Sequence, residues 1–159
     1  MSVRPSWVSQ WESCFERGSF PEARQLQEKV LEARTRLLGE EHPETLLANG
    51  NLASTIHQQG DPSRAQTLHE QVLNGRRKVL GNDHHATLET RLSLAETLKH
   101  QGELLEARKQ GELAYEGLKR ALGEEHLQTL QAAHNLAGTL LRMKDLPAAR
   151  SLMERLVAG

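Results

Sequence analysis

The feature that most constrains this 159-residue chain is a repeat of 42 residues. Leu38-Gly39, Leu80-Gly81 and Leu122-Gly123 recur at that spacing. In the same register follow His42, His84 and His126, Thr45, Thr87 and Thr129, and Leu46, Leu88 and Leu130. Leu52-Ala53, Leu94-Ala95 and Leu136-Ala137 come next, then Ala65, Ala107 and Ala149. Units of this length bury their apolar positions only by stacking on one another, so the register dictates an array of similar modules. A shorter unit precedes the three: Gly18, Ala23 and Leu26 match Gly60, Ala65 and Leu68, while Trp11 and Cys14 stand where Ala53 and Ile56 stand. Such erosion is expected of a terminal repeat, whose outer face has no neighbour. The expected organisation is a single domain over 1–159, with repeats at approximately 1–38 (atypical), 39–80, 81–122 and 123–159.

Each unit reads as two helices. In the last, Leu130, Ala133, Ala137, Leu140 and Leu141 fall at i, i+3, i+7, i+10 and i+11, one face of a helix. In the second, Gln59-Gly60-Asp61-Pro62 breaks the chain: Gly60 suits a left-handed C-cap, Asp61 an N-cap and Pro62 the first helical position. A second helix follows, with Ala65, Leu68, Val72 and Leu73 on one face, and runs to Leu80-Gly81. Ala53, Ala95 and Ala137 midway along the first helices, and Ala65, Ala107 and Ala149 early in the second, are small residues where paired helices must approach. Aromatic residues make up only 3% of the chain and no alternating β-branched run occurs, which argues against a sandwich or barrel. The pattern predicts an all-α fold, an α-solenoid of about four antiparallel helix pairs, with breaks near Gly18, Gly39, Gly60, Gly81, Gly102, Gly123 and Asp145. Gly50 falls inside a helix, at a cost of roughly 1 kcal/mol relative to Ala.

Written out, one unit is Leu38-Gly39-Glu40-Glu41-His42-Pro43-Glu44-Thr45-Leu46, then Asn51-Leu52-Ala53, Gln59-Gly60 and Ala65. It resembles the tetratricopeptide repeat, in the longer variety found in kinesin light chains; the basic form has about 34 residues. The resemblance covers nearly the whole chain. It implies a right-handed superhelix whose first helices line a concave groove for a short peptide or a partner helix. The protein is thus expected to be an interaction scaffold, not an enzyme. The sequence departs from the family where a large apolar residue is usual, four places before the small Ala of the first helix: Asn49, Arg91 and Ala133 stand there.

Twenty Lys and Arg against 21 Asp and Glu give a net charge of −1, without the basic excess that draws a domain to nucleic acid or to an anionic membrane. No apolar run approaches the ~20 residues that span a bilayer, and residues 1–7 have no signal-like apolar stretch. The single Cys14 cannot form an internal disulfide. A soluble, cytoplasmic protein without nucleic-acid or membrane partners is expected.

Chemistry-bearing residues mostly have plainer explanations. His42, His84 and His126 lie one per repeat, too far apart to share a metal, and suit caps or packing in the connector. His84-His85 lack a third ligand. His69-Glu70 begins like a zinc-protease helix, yet Leu73 occupies the place of the second His. Cys14 sits at a core position. No cofactor, metal or catalytic site is expected. The stripe that would line the groove runs Leu47, Asn51, Ser54 and Gln58 in the second unit. It continues as Glu89, Ser93, Glu96 and His100, with Lys99 beside them, in the third, and as Gln131, Asn135, Gly138 and Arg142 in the fourth. The candidate peptide-binding residues are Asn51, Gln58, Glu89, Ser93, Glu96, Lys99, His100, Gln131, Asn135 and Arg142. Resemblance to the family implies that Asn51 and Asn135 hydrogen-bond a peptide backbone, for which an amide both donates and accepts. None of Leu47, Glu89, Gln131, Asn51, Ser93 and Asn135 is basic, so a carboxylate clamp is not expected. The stripe grades instead from acidic (Glu12, Glu16, Glu89, Glu96) to basic (Arg142). The alternative is a structural module that pairs with itself through its last helix, 147–157, which carries Leu152, Leu156 and Val157.

Overall fold

In a computed structural model, the described residues, 20–158, form seven α-helices and no strand. They are α1 (Phe20–Leu38), α2 (Pro43–Gln58), α3 (Pro62–Leu80), α4 (His85–Gln101), α5 (Leu104–Leu122), α6 (Leu127–Arg142) and α7 (Leu146–Ala158). The fold is the expected all-α solenoid of helix pairs: α2/α3, α4/α5 and α6/α7 are complete, and α1 is the second helix of the pair before them. The expectations for Trp11, Glu12, Cys14, Glu16 and Gly18 lie outside the described residues.

The breaks fall at the repeat's own punctuation. Gly39, Gly60, Gly81, Gly102 and Gly123 all take φ between 83° and 92°, which an L side chain adopts only at a cost. The corresponding place in the last pair is held by Lys144, at φ 61°. The repeated histidines start the first helices. The backbone N–H groups of Glu44, Ala86 and Gln128 donate to Nδ1 of His42, His84 and His126, each at 3.2 Å. Each imidazole therefore acts as an N-cap, with the proton of the neutral ring on Nε2. The repeated threonines, three residues on, are buried. Thr87 Oγ1 donates to the carbonyl of Gly81 at 2.8 Å, whereas the hydroxyls of Thr45 and Thr129 have no partner among the described residues.

Two compact units divide the chain, Met1–Gly75 and Arg76–Gly159. In the first, Leu52, Ile56 and Ala65 form a core with Leu31 and Leu68 against it. In the second, Leu88, Tyr115, Leu118, Leu136, Leu140 and Leu152 are the larger members of a cluster to which Ala132, Ala133, Ala137 and Ala149 also belong. The alanines allow close helix approach, and each leucine so buried contributes about 1.5–3 kcal/mol. The same joint is built once in each unit. A Cβ on Gly75 would lie 2.6 Å from Leu46 Cδ2, and one on Gly117 would lie 2.5 Å from Leu88 Cδ2. The repeated leucine of each first helix thus seats on the bare backbone of a glycine at the fourteenth position of the following second helix.

The third repeated leucine departs from the expected pattern. Leu130, placed on the buried face by periodicity, is 37% exposed. The counterpart of Gly75 and Gly117 in this register is Gly159, which lies outside the described residues. Leu141 is exposed too, and the buried face of α6 runs instead through Thr129, Ala132, Ala133, Leu136, Ala137, Thr139 and Leu140. In α7, Leu152 is buried rather than surface-facing; the exposed apolar residues are Leu146, Met153 and Val157.

Candidate functional site

The first helices of the second unit, α4 and α6, lie against one another. Two links set their direction. Near their N-termini, His85 Nε2 meets Gln128 Oε1 at 2.7 Å. Near their C-termini, the Arg142 guanidinium donates to the carbonyl of Lys99. Both links join residues 43 apart, so the helices run parallel and present matching faces.

Six of the expected groove residues fall on these faces at helical spacing: Glu89, Ser93, Glu96 and His100 on α4, Gln131 and Asn135 on α6. Lys99 and Arg142 flank them. Glu89 is exposed and lies 3.8 Å from His85 Nδ1. Ser93 and Asn135 are half-buried, and Gln131 is exposed. At the C-terminal end the charges gather. Glu96 Oε2 takes Lys99 Nζ at 2.6 Å and Glu96 Oε1 takes His100 Nε2 at 3.0 Å. Burial pushes the Glu96 carboxyl up, but the hydrogen bond and charge of Lys99, joined by His100, outweigh it and hold the group below the usual carboxylate range. Lys99 reaches across to α6: its Nζ lies 3.9 Å from where a Cβ of Gly138 would be. Cations there also complement the negative C-terminal ends of two helix dipoles. In the first unit, α2 carries Asn51, half-buried, and Gln58, exposed.

The amides of Asn51 and Asn135 and the hydroxyl of Ser93 make no hydrogen bond to the described residues, unlike Ser54, which bonds back to the carbonyl of Gly50 at 3.2 Å. Among the described residues, these half-buried polar groups leave their donor and acceptor capacity unused. The described residues include no group of three or more His, Cys, Asp and Glu able to hold a metal. No described helix is long and apolar enough to cross a membrane.

Sequence reasoning missed the arginines that join successive pairs. Arg34 Nη1 donates to the carbonyl of Glu44 at 2.9 Å and its Nη2 pairs with the Glu44 carboxylate at 3.0 Å. At the equivalent place, Arg76 Nη1 donates to the carbonyl of Ala86 and to Thr90 Oγ1, both at 2.8 Å. Each arginine pins the second residue of the next first helix. Burial pushes the Arg76 guanidinium below its ordinary range, with Glu89 opposing. Leu118 takes the third place and joins the core, so no three-fold register flagged the pair. Arg91, noted as a departure, is buried and donates to Gln110 Oε1 at 2.6 Å. It replaces apolar packing with a polar tie, and Gln110 in turn donates to Glu106 Oε1 at 2.8 Å.

The profile of the tetratricopeptide repeat matches residues 12–78, 47–120 and 92–159. Among solved structures, the chain is similar to a Podosopora anserina protein assigned as a kinesin light chain with nearly identical TPR-like repeats. Identity is 27% over 96% of this chain and 72% of that one, with a TM-score of 0.90. A single-substitution variant of that protein gives the same values. BtubC (BKLC) from P. vanneervenii shares the fold at 17% identity and a TM-score of 0.86, over 96% of this chain and 61% of its own. No curated protein matches the sequence.

Proposed function

Because the chain belongs to the tetratricopeptide repeat family, we propose that it is a protein-interaction scaffold that holds a peptide or helix of a partner protein on the polar faces of its first helices. The observation that carries this reading is that half-buried polar groups make no hydrogen bond to the described residues: Asn135 and Ser93 on the parallel faces of α6 and α4 in the second unit and, in the first unit by itself, Asn51 on α2. Leaving such groups half-desolvated has a cost that a bound backbone would remove. Glu89 and Gln131 toward one end and Lys99, His100 and Arg142 toward the other give those faces a polarity that orients a ligand. A cytoplasmic setting suits a chain with one cysteine.

The test begins with capture of partners on the immobilised chain and measures affinity for the captured partner. Each peptide hydrogen bond lost is worth about 0.5–1.5 kcal/mol net. Asn51→Ala combined with Asn135→Ala is therefore expected to weaken binding about 5- to 150-fold, with the melting temperature little changed. A folded double variant of unaltered affinity would refute the reading. The second reading, pairing of two copies through α7, is favoured by the exposed Leu146, Met153 and Val157. It requires a mass that rises with concentration in sedimentation.

A further inference from the structure

The connector between α3 and α4 gathers cations around a place where the register elsewhere puts an acid. Glu40, Asn82 and Glu124 share one position of the repeat, and Arg77 and Lys119 share another. In the fourth unit the two positions close an ion pair: Lys119 Nζ meets Glu124 Oε1 at 2.8 Å, and the Tyr115 hydroxyl lies 3.4 Å from the same oxygen. In the third unit the acceptor is an amide, and Arg77 Nε donates to Asn82 Oδ1 at 2.9 Å. A second guanidinium converges on that oxygen, with Arg91 Nη2 donating to it at 3.4 Å. Arg91 is itself an addition, since Asn49 and Ala133 hold its position in the other units.

The charge gathered there is not matched. Arg91 is 7% exposed, and its other arm, Nη1, donates to Gln110 Oε1 at 2.6 Å, so both of its acceptors are neutral amides. A buried cation needs a counter-charge to offset its desolvation. Burial pushes the Arg91 guanidinium below its ordinary range, Arg77 adds to that effect and Asp83 opposes it. Asp83 is already bonded to Arg120 Nη2 at 2.8 Å. The Glu106 carboxylate reaches Arg91 only through Gln110, whose Nε2 donates to it at 2.8 Å. Three guanidinium groups thus share one nearby carboxylate. The two Nη groups of Arg77 make no hydrogen bond to the described residues. Arg77 and Asn82 are exposed, so the Asn82 amide has solvent to turn into.

We propose that Arg77 and Arg91 form a binding site for a phosphate dianion, free or carried as the phosphoryl group of a modified side chain, which takes over from Asn82 Oδ1 as their shared acceptor. Two positive charges without a matching acid call for a doubly charged ligand, and guanidinium forks suit the several oxygens of a phosphoryl group. Glu124 explains why the fourth unit has no equivalent site: its own carboxylate occupies the place of the ligand. Arg91 falls on the opposite face of α4 from Glu89, Ser93 and Glu96 at helical spacing. The site is therefore separate from the polar faces and stands or falls without them.

The probes are inorganic phosphate and O-phosphoserine, each titrated against the full chain at slightly alkaline pH, with sodium chloride holding the ionic strength constant. Binding is followed through the Nε–H resonances of Arg77 and Arg91 and the side-chain amide of Asn82. Saturable shifts of all three are expected, together with a melting temperature that climbs with phosphate concentration. Arg77→Gln should weaken binding by about tenfold or more, as loss of a charge-assisted hydrogen bond does. Asn82→Asp, which puts a carboxylate where the amide stands, should abolish it. Both positions are exposed, so circular dichroism should show the helices intact. Saturation by phosphoserine as well as phosphate upholds the site and makes a phosphorylated side chain its ligand; saturation by inorganic phosphate alone upholds it for the free ion. The proposal fails if neither probe saturates, or if Asn82→Asp or Arg77→Gln binds phosphate as tightly as the original.

Discussion

Two helical glycines with the same intrinsic penalty are expected to respond oppositely to alanine. Gly to Ala inside a helix gains roughly 1 kcal/mol from propensity alone. At Gly50 a new Cβ would find, among the described residues, only Val72 Cγ1, at 3.9 Å, an ordinary contact. Gly50→Ala should therefore keep most of the gain, about 0.5–1 kcal/mol, and raise the melting temperature by about 1–4 °C for a chain of this size. At Gly117 the new Cβ would lie 2.5 Å from Leu88 Cδ2 and 3.0 Å from Cδ1. Leu88 is 1% exposed and sits in the core cluster, so it has no solvent to swing into. Overpacking of this kind costs about 1–3 kcal/mol, which outweighs the propensity gain and leaves Gly117→Ala neutral to about 2 kcal/mol destabilised. The decisive measurement is a double-mutant cycle by urea denaturation. Leu88→Ala alone costs about 2–5 kcal/mol, but in that background the clash is gone and Gly117→Ala should become stabilising. Refutation would come from a Gly117→Ala that stabilises the original chain as Gly50→Ala does, or from a sign that does not reverse beside Leu88→Ala.

Lys144→Gly should stabilise by about 1 kcal/mol, read as a higher urea midpoint, because it relieves the one non-glycine left-handed residue among those described. His84→Ala should cost about 1 kcal/mol while His84→Asn, which retains an acceptor for the Ala86 N–H, costs less; equal losses would remove the imidazole's capping role. Thr87→Val should destabilise by about 1 kcal/mol through the lost bond to Gly81, whereas Thr129→Val should be neutral or stabilising because its hydroxyl has no partner to lose. Because the folded state holds Glu96 below the ordinary carboxylate range, its contribution is present above that range and is lost as pH falls through the folded value. Carboxyl NMR should show Lys99→Met shifting the Glu96 midpoint upward.

The fold was legible because its information is carried by repetition. A Gly, a His and a small Ala at one register each constrain one break, one cap and one close approach, and the same solution serves three times. Periodicity set the side that a leucine faces but not how far it is covered. Leu46 and Leu88 seat against a glycine of the following second helix, whereas Leu130, in the same register, is 37% exposed.

The polar face followed the opposite logic. Its residues differ from repeat to repeat, so no register identified them; helix spacing and resemblance to the family placed them. The cluster Glu96, Lys99 and His100 was visible as three polar letters within five residues, but the reach of Lys99 over Gly138 and of Arg142 back to its carbonyl needed the parallel docking of α4 and α6. A Cβ at Gly138 would lie 3.9 Å from that ammonium, an ordinary contact, so alanine there should leave Lys99 in place, whereas a longer side chain would compete with it for the space between the two first helices.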